Sequence, residues 1–170
     1  MIKISFTGSH GTGKTTSVLE RARELKLAHP TKKISVLTEV ASECPFELNK
    51  ASREESQVWI FTNQCRREVE YSRKSDYLVC DRTVCDSIAY SIANNLDCKL
   101  ISGMMKMAAF HINSYSEIYF KTIKNNDWWY ADGLRDSSDL EWRKKVEEYL
   151  LEVYDSLRRD YGCKFNFVVI

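Results

Sequence analysis

The chain opens with Ile2-Lys-Ile-Ser-Phe-Thr7 and runs at once into Gly8-Ser-His-Gly-Thr-Gly-Lys14-Thr15. The first six residues alternate and are rich in apolar side chains, as a short strand requires. The next eight fit G-x-x-x-x-G-K-[ST], a loop whose main-chain N–H groups turn inward around phosphate. Val18, Leu19, Ala22, Leu25 and Leu27 then recur near helical spacing from about Gly13 to Ala28. A strand, a glycine loop and a helix in immediate succession constrain the fold severely. They require a sheet whose first strand feeds a helix, with an anion nest at the junction.

Within that loop the backbone of Ser9, His10, Gly11, Thr12, Gly13, Lys14, Thr15 and Thr16 is expected to cradle the phosphates of ATP. Lys14 reaches the β- and γ-phosphates, and the Thr15 hydroxyl is offered to Mg²⁺. His10 occupies a free position of the motif, so its side chain is read as incidental.

Ile34 to Glu39, Tyr77 to Asp81, Glu117 to Lys121 and Phe165 to Ile170 read as further strands. Between them, helices are expected over about 52–74, 84–94, 99–114 and 140–160, the last closed by Gly162. Ser52-Arg-Glu-Glu55 resembles a capping box for the first of these, with Val58, Phe61, Cys65 and Val69 at helical intervals after it. Strands separated by helices pair in parallel through right-handed crossovers, which predicts a three-layer α/β fold in a single domain over residues 1–170. A polar stretch from about 125 to 139 is read as a lid.

Composition narrows the function classes. A net charge of +1 gives no electrostatic reason to expect nucleic acid or a membrane as partner. The six cysteines form no C-x-x-C pair and no zinc-like spacing, no run reaches membrane-spanning length, and no export signal is expected. A reducing, cytoplasmic setting is expected.

Ligands of parallel α/β sheets sit beyond the carboxyl ends of the strands, where Glu39 and Asp81 fall. An acid there can hold Mg²⁺ or take a proton from an attacking hydroxyl; it can also merely open a loop. Arg82 follows Asp81 where a hydrolytic motor would carry a second acid. Its guanidinium suits a phosphate or a second substrate. No Asn-Lys-x-Asp guanine reader occurs. Asp132-Gly-Leu-Arg135 is either a hinged lid bringing Arg135 over the transferring phosphate or an ordinary Asp-Gly turn. Trp128, Trp129 and Tyr130 precede it. Gln57, Gln64 and Glu68 share one stripe of their helix, which either lines a substrate pocket or faces solvent.

GSHGTGKTT, TEVASECPFELNK, QVWIFTNQCRREVE, YLVCDRTVCDSIAY and DGLR, taken in order, are similar to the P-loop kinases of nucleosides and nucleotides. The chain most nearly resembles small ATP-binding proteins grouped with the kinase domain of the ribosylnicotinamide kinase family. Deoxynucleoside kinases and thymidylate kinase are more distant. The resemblance covers nearly the whole chain and implies a five-stranded parallel sheet in the order 2-3-1-4-5. It implies that Glu39 is the base acting on an acceptor hydroxyl, that Asp81 lies near Mg²⁺ and that Arg82 lies on phosphate. It also implies that Gln64 falls near a base-reading glutamine, that Asp86 falls close to another acceptor-binding position, and that Arg135 is the lid arginine.

The expected activity is therefore phosphotransfer from ATP, with Mg²⁺, to a small nucleoside or nucleotide acceptor. Lys14, Glu39, Asp81, Arg82 and Arg135 would be the catalytic residues and Gln57, Gln64 and Asp86 the acceptor contacts. Thr15 and Asp81 would hold the metal. A nucleotide-dependent switch or slow ATPase working through a partner is the alternative. Oligomeric state is left open, a homodimer included.

Overall fold

The computed structural model describes residues 1–124 and 139–170. Five strands, β1 (Ile2–Thr7), β2 (Ile34–Leu37), β3 (Tyr77–Asp81), β4 (Glu117–Phe120) and β5 (Phe167–Val169), pair in parallel in the order β2-β3-β1-β4-β5. This is the order the resemblance implied. The helices are α1 (Lys14–Ala28), α2 (Glu54–Ser72), α3 (Val84–Ala93), α4 (Cys98–His111) and α5 (Leu140–Arg159). Parallel neighbours cannot be joined by tight turns, so the helices carry the chain back across the sheet.

On one face of the sheet, Val18 and Leu25 of α1 pack on Ile4, Phe6 and Val79. On the other, Phe61 of α2, Ile88 of α3, Met104 of α4 and Leu150 of α5 close over Ile118 and Phe120. Burial of each such side chain contributes about 1.5–3 kcal/mol. Leu19 and Leu27 stay exposed, so the apolar face of α1 is narrower than its sequence spacing implies.

Central strand β1 departs from the usual pattern of a buried parallel strand. Its second face carries Lys3, Ser5 and Thr7, all buried. Lys3 Nζ donates to Glu68 Oε2 of α2 at 2.8 Å, Ser5 Oγ to the Arg82 carbonyl at 2.7 Å, and Thr7 Oγ1 to Asp86 Oδ2 of α3 at 2.8 Å. A polar seam therefore climbs the middle of the molecule to the carboxyl edge of the sheet. Each of its groups has a partner, as burial demands.

Three local expectations need correction. β2 stops at Leu37, which leaves Glu39 in the connection just before a 3-10 turn at Val40–Glu43. β5 is limited to Phe167–Val169. Helix α2 begins at Glu54 with Ser52 outside it, and the Arg53 N–H donates to Ser56 Oγ at 3.3 Å. The Ser52 hydroxyl turns inward instead, accepting from Gln57 and Asn94, because a buried site between α2 and α3 offers it those partners.

Candidate functional site

Gly11 and Gly13 both adopt φ 71°, the left-handed conformation that a side chain disfavours. Gly8 has φ 138°, and a Cβ there would lie 2.3 Å from the Lys121 carbonyl oxygen. The motif's glycines thus answer to backbone geometry and to close approach by the end of β4. Helix α1 begins immediately after Gly13, so its first N–H groups and dipole face the loop.

Lys14 is buried inside this loop, its Nζ donating to the Ser9 carbonyl at 2.5 Å and to Thr12 Oγ1 at 3.3 Å. Burial first, and the Arg82 charge second, lower its ammonium from 10.5 to about 7, against the pull of Asp81, Glu39 and Asp86. Thr15 Oγ1 donates to Asp81 Oδ2 at 2.5 Å. Burial also pushes the Asp81 carboxyl up, opposed by the Lys14 charge and the Thr15 hydrogen bond. A hydroxyl and a carboxylate side by side are the hard oxygen donors that Mg²⁺ prefers. Among the described residues no group of three or more His, Cys, Asp or Glu side chains is arranged to hold a metal ion unaided. A Mg²⁺ shell here would need phosphate and water oxygens to be complete. Thr16 sits exposed at the start of α1.

Arg82, directly after β3, has φ 80°, a strained value for a residue with a side chain. Hydrogen bonds fix it from several directions. Its N–H donates to the Phe6 carbonyl at 2.8 Å, and its carbonyl accepts from Ser5 and Gln64. Its Nε donates to Glu39 Oε1 at 2.5 Å, and its Nη1 donates to Asp86 Oδ1 at 2.8 Å and to the Gly8 carbonyl at 3.3 Å. The Asp86 carboxylate also accepts from Thr7, the Thr83 N–H and the Thr83 hydroxyl. Asp86 therefore caps α3 and holds Arg82 at once. The attractive charges of Glu39 and Asp86 outweigh burial and raise the guanidinium well above its ordinary value, so it stays charged.

Beside the loop, between α2, α3 and the 3-10 turns, opens a narrow cleft with about 30 Å³ of room inside it. Arg82, Asp86, Gln57, Gln64 and Tyr90 line it. The structure thus brings Lys14, Thr15, Glu39, Asp81, Arg82 and Asp86 to one edge of the sheet, with both glutamines across the cleft. Gln57, Gln64 and Glu68 are all buried, which overturns the reading of this stripe as a solvated face. Of the apolar residues at helical intervals on α2, Phe61 is buried while Val58 and Val69 are exposed. The burial of the polar stripe follows from the polar seam: Glu68 is drawn inward by Lys3, and Gln57 and Gln64 lie on the same side of the helix. Arg135, with Trp128, Trp129, Tyr130 and Asp132-Gly133, lies outside the described residues.

Two side chains gain roles that the sequence reading missed. His10 is buried, with Nδ1 3.0 Å from the Tyr90 hydroxyl, so the loop touches the cleft wall. Arg143 of α5 is 1% exposed and donates from Nε to the His10 carbonyl at 3.0 Å and from Nη2 to the Gly11 carbonyl at 3.3 Å. Its sequence signal is position: Arg143 stands three residues before Val146 and seven before Leu150, on the apolar stripe of its helix. A charge in that register needs a buried partner.

A family model described as an AAA domain matches residues 3–164. No curated protein sequence is significantly similar to the chain. Among solved structures, thymidylate kinase from Ehrlichia chaffeensis superposes with a TM-score of 0.68 at 16% identity, covering 99% of this chain and 91% of that one. A deoxyadenosine kinase from M. mycoides, solved with bound dATP, gives 0.68 at 16% identity, covering 99% and 90%. Thymidylate kinase from Candida albicans gives 0.63 at 15%, covering 99% and 83%. At such identities the likeness is one of fold, and it extends over the whole length of this chain. By its sequence and its strand order, the protein belongs to the AAA-domain family, on the P-loop fold that these nucleoside and nucleotide kinases share.

Proposed function

We propose that the protein transfers a phosphoryl group from ATP to a nucleoside, a nucleotide or a closely related small acceptor. The observation that carries this reading is the cleft opening directly beside the glycine loop, with Arg82 and Asp86 common to its wall and to the ring of charges around Lys14. A hydrolytic switch has no need of a second pocket within reach of the phosphates. The solved kinases of similar fold act on nucleosides and nucleotides, which supports the same acceptor class here.

In this proposal the loop amides and Lys14 bind the phosphates, and Lys14 and Arg135 stabilise charge on the transferring group. Thr15 and Asp81 would hold Mg²⁺, which offsets phosphate charge when bound. Arg82, pinned by Glu39 and Asp86, presents a fixed guanidinium to the acceptor or its phosphate. If the acceptor group is a hydroxyl, Glu39 removes its proton; if it is a phosphate, no base is needed. The test is transfer of label from [γ-³²P]ATP to a panel of nucleosides, nucleoside monophosphates and nicotinamide riboside. A labelled acceptor is the expected result. Release of inorganic phosphate that no acceptor changes would overturn the reading in favour of a slow ATPase.

A further inference from the structure

Glu68 is 0% exposed and lies away from the phosphate site, yet four donors converge on it. Lys3 Nζ and His111 Nε2 reach its Oε2, each at 2.8 Å, while the Tyr115 hydroxyl and Gln64 Nε2 reach its Oε1 at 2.6 and 2.8 Å. Opposed to Lys3, and with donors at both oxygens, this carboxylate is an acceptor only. The second partner of Gln64 Nε2 is the Arg82 carbonyl at 3.4 Å, which also only accepts. Chemistry therefore dictates which end of the Gln64 amide faces inward: it must be the NH₂. The Gln64 carbonyl oxygen accepts no hydrogen bond among the described residues, and the side chain lines the cleft.

Gln57, seven residues earlier, has the same polarity for an independent reason. The Ser52 hydroxyl spends its proton on the Asn49 carbonyl at 2.8 Å, so it can only accept from Gln57, whose Nε2 lies at 3.0 Å. The α2 wall of the cleft thus offers acceptor oxygens, while Arg82 on the opposite side offers donors.

We infer that Glu68 is a positioning residue that locks the Gln64 amide with its carbonyl oxygen toward the cleft, so that the acceptor must present an N–H donor there. A base that faces α2 with an amino group or an imide N–H satisfies this; one that faces it with ring nitrogens or carbonyls alone does not. The inference rests on the proposed reading of the cleft as the acceptor site. It adds that the usual two-way ambiguity of a glutamine is removed in this protein by a buried charge.

Binding to the full chain distinguishes the outcomes, measured by calorimetry with nucleoside pairs that differ in the donor. The pairs are a 4-aminopyrimidine riboside and its 4-unsubstituted counterpart, adenosine and purine riboside, and thymidine and N3-methylthymidine. The donor-bearing member of at least one pair is expected to bind about tenfold or more tighter, because a site built around a hydrogen bond rejects the analogue lacking it. Gln64→Met, which keeps the volume, is expected to erase that preference while ATP binding is unchanged. Glu68→Gln is expected to narrow the preference through KM with kcat largely retained. If this variant does not fold, Gln64→Met carries the test. Equal binding within every pair overturns the inference, as does a preference that survives Gln64→Met or a cleft that binds no member of any pair. Labelled transfer without donor preference defeats the inference alone. Donor preference without transfer defeats only the kinase reading.

Discussion

Lys14 shows how a single residue carries information about the state of the loop. With burial lowering it to about 7, the folded chain binds fewer protons than the unfolded one between about 7 and 10.5. Stability of the nucleotide-free protein therefore rises with pH across that window. Phosphate beside the ammonium restores the charge, so ATP binding near pH 8.5 is expected to take up about one proton. Calorimetry in two buffers of different ionisation enthalpy reads this directly, and the uptake should vanish well below pH 7. Glu39 gives a second prediction at this scale. Glu39→Gln should lower kcat about 100- to 10,000-fold with a nucleoside acceptor, the usual contribution of a general base, and change turnover with a monophosphate little. Because Glu39 also pins Arg82, a modest rise in KM for either acceptor is expected alongside.

Helix α2 is the element whose sequence pattern and structure disagree most, and the reason is electrostatic. Apolar periodicity assumes that polar residues face water. Here a lysine on the central strand pulls Glu68 inward, and Val58 and Val69 are left outside. Burial alone would raise the Glu68 carboxyl, but the His111 hydrogen bond and the Lys3 charge outweigh it and the net shift is downward from 4.5. Its contribution to stability is therefore complete above about 4.5 and is lost as pH falls through the lower folded value. Removing one partner leaves the other charge buried: Lys3→Met should destabilise the protein by about 3–5 kcal/mol. Lys3→Met combined with Glu68→Leu should recover only part of that, since no charge is then stranded but Tyr115, Gln64 and His111 lose their acceptor. Urea unfolding of the two variants settles the comparison. By contrast, the unit β1, loop and α1 was legible from the start, because glycines at 8, 11 and 13, a lysine and a threonine leave little freedom. Asp81 and Arg82 were legible for a related reason: a short apolar strand ending in charge marks the edge where ligands sit.

Across the molecule, the site is assembled from segments far apart in sequence, and this limited what could be read. Thr15 meets Asp81, Glu39 meets Arg82, and Arg143 meets His10, pairs that only the strand order brings together. Strand order followed from the resemblance, and so did the neighbourhood of Glu39 and Asp81. Nothing in the motif itself calls for an arginine near the other end of the chain. Arg143→Met should weaken ATP binding at least about tenfold, since two loop carbonyls lose their donor and each unsatisfied group costs about 1–3 kcal/mol. Fluorescent nucleotide titration measures the loss, and circular dichroism should show the helices intact.

The grip of α5 on the loop also sets an order of events during synthesis. A nascent chain in which α5 has not yet been made already displays every letter of the phosphate-binding signature, yet lacks the guanidinium that shapes it. Full affinity for nucleotide is thus expected only once α5 has been made and has docked against the loop.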